Sequence, residues 1–344
     1  MTIKAKFTGR TITASLIAAM GLTLAACGSS NSSASTTTSS ASSSSSSATK
    51  ALTPETVNVG VLPIADVAPL YLGMKEGFFA KQKLTIVPHA LQGGAAVASA
   101  VVGGTLQFGF GATANLILAK AHNLPLEFVA SGDSAAATSS AAWSAIQVSG
   151  KSGITSISQL AGKTIAANAT QGENELALDS ILLKNGVNPS SVHVVAMPFP
   201  NMPSALSGGQ VQAVTEVEPF VSAIAASGGK TLSPLFEGMQ PSLLVAGYFT
   251  TSSEIASHPG LVKRFVTAMN ESLTYAQQNP TAVQAIIPTY TKIPAKVASK
   301  LRLPVWNATL DTSSIQTQES LMKKLGWITS DIPVSQLVWS GANQ

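Results

Sequence analysis

Three acids are the first residues to suggest chemistry. Asp66, Glu216 and Glu218 each follow a short apolar run, in a chain where only 10% of residues are charged against about 25% in an ordinary soluble domain. Carboxylates so placed can accept hydrogen bonds from an amine or amide. Their ordinary alternative is to cap a turn or helix, or to sit in an exposed loop. Around them are loops rich in small residues: Leu62-Pro63-Ile64-Ala65-Asp66, Gln92-Gly93-Gly94, Gly111-Ala112-Thr113 and Asn168-Ala169-Thr170-Gln171-Gly172. Several lead into helix-like segments. Free N–H groups and the dipole at a helix start favour an anion, and glycine allows close approach. Thr113, Asn168 and Thr170 can add donors, although Thr and Asn are also preferred caps. Phe110, Trp143 and Phe199 can stack on a flat ligand, while core packing is the commoner fate of such rings.

Catalytic patterns are weak. Ser149-Gly150-Lys151-Ser152 lacks the earlier glycine of a phosphate loop, since position 145 is Ala. His89, His122, His193 and His258 stand singly, without metal-ligand spacing. No Gly-x-Ser-x-Gly elbow occurs. The single cysteine excludes an intramolecular disulfide framework and any Cys-x-x-Cys motif. No catalytic residue, metal ligand or cofactor site is therefore expected. The formal charge of +4 is spread over 344 residues and makes no basic stripe, so no nucleic-acid partner is expected.

The elements that must position the acids alternate strand and helix, twice. Strands are predicted at Val57–Leu62, Leu84–Val87, Leu106–Phe110 and Leu126–Ala130, with helices at Pro69–Glu76, Ala95–Val102 and Ala114–His122. A second series has strands at Thr164–Ala167, Val192–Ala196 and Val211–Thr215, with helices at Glu173–Lys184, Met202–Ser207 and Phe220–Ala226. Gly103-Gly104-Thr105-Leu106-Gln107 in the first series recurs as Gly208-Gly209-Gln210-Val211-Gln212 in the second. Each marks a helix end, a two-glycine turn and a strand start. The pattern predicts an α/β fold with two similar lobes of mainly parallel sheet. Leu243–Phe249 reads as a strand returning to the first lobe, and helices follow from Leu261 onward. The expected division is 55–148 with 246–344 for lobe 1 and 149–245 for lobe 2. Open parallel sheets bind ligands beyond the carboxyl ends of their strands. The candidate site is therefore Ile64, Ala65, Asp66, Gly93, Gly94, Ala112, Thr113, Asn168, Thr170, Glu216 and Glu218.

Ahead of this lies an address. Lys4, Lys6 and Arg10 precede an uncharged run from Thr11 to Ala26, as in a secretory signal. Its end, Leu24-Ala25-Ala26-Cys27, resembles the bacterial lipobox, which implies cleavage after residue 26 and lipidation of Cys27. Residues 28–49 hold 13 Ser, 4 Thr and 3 Ala. They cannot bury an apolar face, so 27–54 is expected to be a disordered tether, reaching roughly 25 Å. With the signal removed, 17 basic residues face 16 acidic ones, and the basic surplus almost vanishes.

Several ordered blocks between Val57 and Gln278 resemble the solute-binding proteins of bacterial ABC importers for nitrate, taurine, alkanesulfonates and thiamine pyrimidine precursors. They are Asp66-Val67-Ala68-Pro69-Leu70-Tyr71-Leu72 with Glu76-Gly77-Phe78-Phe79; Gln92-Gly93-Gly94-Ala95-Ala96; Gly109-Phe110-Gly111-Ala112-Thr113; Leu160-Ala161-Gly162-Lys163-Thr164-Ile165-Ala166; Met202-Pro203-Ser204-Ala205-Leu206; and Glu218-Pro219-Phe220. Gln107 and Gln212 stand where that family usually has Asp. The resemblance implies a type II periplasmic-binding-protein fold that closes on its ligand by a hinge.

It also implies a non-enzymatic, monomeric receptor, lipid-anchored on the extracytoplasmic face of the cell membrane. Such a receptor delivers a small organic ligand of the sulfonate, taurine or nitrate-like class to an ABC permease with its ATPase. An acidic cleft suits a purely anionic ligand poorly, so a flat amino-heterocycle, such as a thiamine pyrimidine precursor or flavin, is the alternative. An enzyme on the same fold is a third reading. It is disfavoured because the related pyrimidine synthases need a cysteine-rich motif.

Overall fold

The computed structural model describes residues 52–343. The signal, Cys27 and nearly all of the tether lie outside the described residues. Two sheets organise the chain. The first takes β1 (Glu55–Val61), β2 (Leu84–Ala90), β3 (Phe108–Ala112) and β4 (Leu126–Ser134). The second takes β5 (Ser144–Val148), β6 (Thr164–Ala167), β7 (His193–Ala196), β8 (Ala213–Val217) and β9 (Lys230–Pro234). The chain then returns to the first sheet with β10 (Leu244–Thr251) and the two-residue β11 (Val305–Trp306). Spatial order is β2-β1-β3-β10-β4-β11 in one sheet and β7-β6-β8-β5-β9 in the other.

Local sequence explains the strands. In β1 the side chains of Val57, Val59 and Val61 are fully buried while Thr56 is exposed, the period-two pattern of a strand with one face inward. The edge strand β2 alternates buried and exposed residues from Leu84 to Val87 and exposes its last two, His89 and Ala90. The long helix Pro259–Gln278 turns Leu261, Phe265, Met269, Leu273 and Ala276 into the core and packs on the helix Ala68–Lys75 and on β4. Phe265 stacks on Phe108 at 3.9 Å between centroids. The C-terminal helices pack mainly on elements of the first sheet and its helices. The helix Thr312–Lys324 also touches the second lobe's helix Glu173–Lys184.

Each sheet contains an inner strand that runs antiparallel to both its neighbours. In the first sheet it comes from beyond the second lobe, and in the second sheet it is the lobe's own opening strand. β10 lies between β3 and β4, and β5 lies between β8 and β9. This corrects the boundary expected after residue 148. Ser144–Val148 pairs only in the second sheet, so the first crossing comes between Ser134 and Ser144. All five residues of β5 are buried, which leaves no alternation of polarity to mark a strand. The second crossing lies ahead of Leu244, where β10 begins. The crossing segments bond to each other: Ala135 N–H donates to the Leu243 carbonyl at 2.8 Å and Ser242 N–H to that of Ala136 at 3.2 Å. Glu237 braces them, accepting from Ala136 N–H at 2.9 Å. Two short connections of this kind are where a two-lobed molecule bends.

Candidate ligand-binding site

The carboxyl ends of β1, β3, β6 and β8 face one another, and a cavity of about 50 Å³ lies between them. That is room for several waters. The first lobe lines it with Leu62, Ile64, Asp66, Gly94, Asn115 and the strand end Phe110–Ala112, together with Val245 and Ala246 of β10. The second lobe contributes Asn168, Ala169, Gly172–Asn174, Phe199, Val217 and Phe236. The walls are apolar, with amides and two acids converging from opposite sides, as small-molecule sites commonly are.

Five of the sequence-predicted residues line the cavity: Ile64, Asp66, Gly94, Ala112 and Asn168. The other six lie outside its wall, and most have a structural role. Ala65 N–H donates across the cleft to the Glu218 carbonyl at 3.0 Å. Gly93 is the extended residue before the helix Gly94–Val102. The Thr113 hydroxyl donates to the Leu244 carbonyl at 3.2 Å, and Thr170 is exposed. Glu216 is fully buried and accepts only from its neighbour Val217 N–H, at 3.3 Å. Glu218 caps the next helix, accepting from Ser222 N–H at 3.0 Å and the Ser222 hydroxyl at 2.7 Å. Of the rings, Phe110 and Phe199 line the cavity. Trp143 does not: its indole N–H donates to the Ser134 carbonyl at 3.1 Å and its ring packs on Phe236.

Glu173 was not among the predicted residues. An acid in the first turn of a helix suits the dipole of that helix, so it gave no sign of a second role. Its Oε2 accepts from Ala114 N–H of the opposite lobe at 2.8 Å, and its own N–H donates to Asn115 Oδ1 at 3.4 Å. The start of the helix Thr113–Ala121, which could receive an anion, is thus occupied by the protein's own carboxyl. Together with the Ala65–Glu218 bond, this holds the lobes closed. Asn174 also lines the cavity, and its amide donates to the Thr215 carbonyl at 2.9 Å.

The site is acidic. Burial pushes Asp66 up to about 8, against a backbone hydrogen bond that lowers it. Burial pushes Glu173 to about 8 as well, opposed by the bond from Ala114. Asp133 of β4 is pushed well above the usual carboxylate range, by burial first and then by the charges of Asp66 and Glu173. One oxygen each of Asp66 and Glu173, and both of Asp133, have no hydrogen-bond partner. No Lys, Arg or His lines the cavity. Among the described residues, no group of three or more His, Cys, Asp or Glu is arranged to hold a metal ion.

The NMT1/THI5-like family model matches residues 64–283, which covers every cavity-lining residue but Leu62 and most of both sheets. The chain belongs to this family. Solved structures share its fold at low identity. The alkanesulfonate-binding protein SsuA from Xanthomonas axonopodis pv. citri, bound to MOPS, is 17% identical, with a TM-score of 0.71 over 84% of this chain and 99% of that one. The nitrate-binding protein NrtA from Synechocystis PCC 6803 is 13% identical, with a TM-score of 0.67 over 82% of this chain and 84% of that one. The desulfurization enzyme DSZB is 14% identical, with a TM-score of 0.60 over 83% and 96%. The NMT1/THI5-like chain thus has the two-lobed periplasmic-binding-protein fold, a scaffold seen in both binding proteins and an enzyme. Among curated protein sequences none matches it significantly. No helix of the described residues is long and apolar enough to cross a membrane.

Proposed function

We propose that this chain is an extracytoplasmic solute-binding lipoprotein, anchored through Cys27, that closes its lobes around a small organic ligand and presents it to an ABC import permease. The observation that carries the reading is the cavity itself. It is enclosed between two lobes that contact each other through Ala65–Glu218 and Ala114–Glu173 and are joined by two short crossings. Such a molecule captures solute when contacts from both lobes favour the closed form. The binding proteins among its structural neighbours support the role, and the lipobox-like Leu24-Ala25-Ala26-Cys27 supports the anchor.

Two ligand classes were expected, and the geometry favours the second. A sulfonate or nitrate needs donors or positive charge, yet Asp66 and Glu173 line the cavity and the helix start beside it is already taken. An amino-heterocycle offers N–H donors to those oxygens and a flat face to Phe110 and Phe199. An enzyme on this fold finds less support, because the cavity wall contains no Ser, Cys or His, which leaves Asp66 and Glu173 as its only titratable groups. The test is mass spectrometry of small molecules released from purified protein, followed by calorimetric titration. A nitrogen-rich compound binding one to one is the expected result. A protein that neither retains nor binds any small solute would not be a receptor.

A further inference from the structure

Asp133 is the buried acid that the closed cleft leaves unexplained. It sits in β4 opposite Ala246 of β10, which in turn sits opposite Ala112 of β3. Residues directly opposite in an antiparallel pair share a face. Ala246 and Ala112 both line the cavity, so Asp133, although not itself in the cavity wall, lies beside them on the same face of the sheet, where the pairing of β4 and β10 is irregular. On the other side Asp133 pairs with Trp306 of β11, whose indole N–H donates to the Asp66 carbonyl at 3.1 Å. That tryptophan ties the two acids together. Tyr248, two residues along β10 from Ala246, is on the same face and fully buried. Asp133 Oδ1 and Oδ2, Asp66 Oδ2 and the Tyr248 hydroxyl all lack a partner. Asp66 and Asp133 are 4% and 0% exposed, and no Lys or Arg among the described residues bonds to either.

Buried polar groups in a folded protein are nearly always satisfied. Asp66 lines the cavity and Asp133 and Tyr248 lie just outside its wall, so three carboxylate oxygens and a hydroxyl there are left for a donor from outside the chain. We propose that Asp66 and Asp133, with Tyr248, form a subsite for a protonated nitrogen of the ligand, a primary ammonium or an amidinium-like group on a small ring. The inference rests on the receptor reading and deepens it. Two adjacent buried carboxyls do not both ionise in the empty site. The groups facing them are Glu173 from the second lobe and Tyr71, Tyr248 and Tyr290 from the first, all of which are acids and add no positive charge. When the cation enters, a carboxyl O–H bond breaks and its proton leaves to solvent, so the cation replaces a proton and the buried charge stays balanced.

The probes are 4-aminopyridinium and butylammonium, with methanesulfonate as the anion. They are titrated calorimetrically into the full chain at pH 7 in phosphate and in Tris. The cations are expected to bind with a heat that differs between buffers, reporting proton release. Methanesulfonate is expected to bind at least about thirtyfold more weakly. Asp133→Asn should weaken the cations by at least about thirtyfold and remove the buffer dependence, with an unchanged or raised melting temperature. Should that variant fail to fold, Tyr248→Phe deletes only the hydroxyl and should weaken them by about fivefold. The subsite is overturned if methanesulfonate binds as tightly as the cations, or if the variant that folds binds the cations as the parent does. If no probe binds, cation or anion, the receptor reading falls, and the subsite with it.

Discussion

The two lobes are built alike and equipped differently. Both sheets have two parallel pairings followed by two antiparallel ones, the first sheet adding β11 at its edge. The inner antiparallel strand is β10, returning from beyond the second lobe, in one sheet and β5, the lobe's own opening strand, in the other. Both turn from helix to strand through the same five-residue segment, with Gly104 at φ 74° and Gly209 at φ 73°, a conformation that suits glycine. Yet the first lobe has three unpartnered carboxyl oxygens near the cleft, on Asp66 and Asp133, against one on the second lobe's side of the cavity, Oε1 of Glu173. Most of the second lobe's nearby acids are spent on backbone: Glu218 caps a helix, and Glu173 caps a helix of its partner lobe. A repeated scaffold fixes where a cleft opens, and the residues at the strand ends decide what it holds.

The largest effect that separates the lobes should be the pH dependence of stability. Asp66 goes from 3.8 to about 8 on folding and Glu173 from 4.5 to about 8, so the folded chain binds more protons than the unfolded one between those values. Stability is then fully present below about pH 4 and is lost as pH rises through 8. The melting temperature of ligand-free protein should fall by about 5 °C or more from pH 5 to pH 8. Asp66→Asn should flatten that slope. Glu218→Gln, in the second lobe, should flatten it less, because burial takes Glu218 only to about 7, against its bonds from Ser222. Equal slopes for both variants would erase the difference between the lobes.

Next in size is the contact the lobes share. Glu173→Ala leaves Ala114 N–H without an acceptor and should disfavour closure by about 1–2 kcal/mol, roughly tenfold in the open-to-closed ratio. Small-angle scattering should show a larger radius of gyration. Glu173→Gln keeps an acceptor and should stay near the parent. An unchanged radius in the alanine variant would mean that this bond does not hold the cleft.

What could be read from the sequence follows from which signals are local. The paired Gly-Gly turns and the long helix ending at Gln278 were legible because their residue types act on their own neighbours. The strands β3 and β8 both begin two residues later than the periodicity suggests. Thr105 and Leu106 first fold back to the Ala100 carbonyl, as Gln210 does to that of Ala205. β5 was missed because it is buried throughout, β9 because Lys230, Ser233 and Pro234 give it little strand character, and β11 because it has two residues and joins a sheet formed far earlier in the chain. Asp66 stood out through the scarcity of charge. Asp133 did not, because its run seemed to end at Ala130 and an acid beyond a strand looks like a loop residue. The role of Glu173 depends on a backbone N–H some sixty residues away in sequence, which no local pattern encodes.

The smallest expected effect tests the scaffold rather than the site. Gln107 and Gln212 replace the acid usual in the resembled family, and both do the same work. Gln107 Oε1 accepts from Asn58 N–H at 2.9 Å while Gln107 N–H donates to the Asn58 carbonyl at 3.0 Å. Gln212 Oε1 accepts from Thr164 N–H at 3.1 Å while Gln212 N–H donates to the Thr164 carbonyl at 2.9 Å. Each side chain thus extends the pairing of its strand by one more bond, which an acid could also supply. Gln107 additionally receives the Asn58 amide at 3.2 Å, and Asn58 Oδ1 meets His89 at 2.8 Å. The first lobe therefore has the longer network. Gln107→Ala should cost about 1–2 kcal/mol and Gln212→Ala about 1 kcal/mol in denaturant unfolding, with Gln→Glu near neutral at both positions. If the alanine variants reversed that order, the two turns would not be equivalent parts of one repeated design.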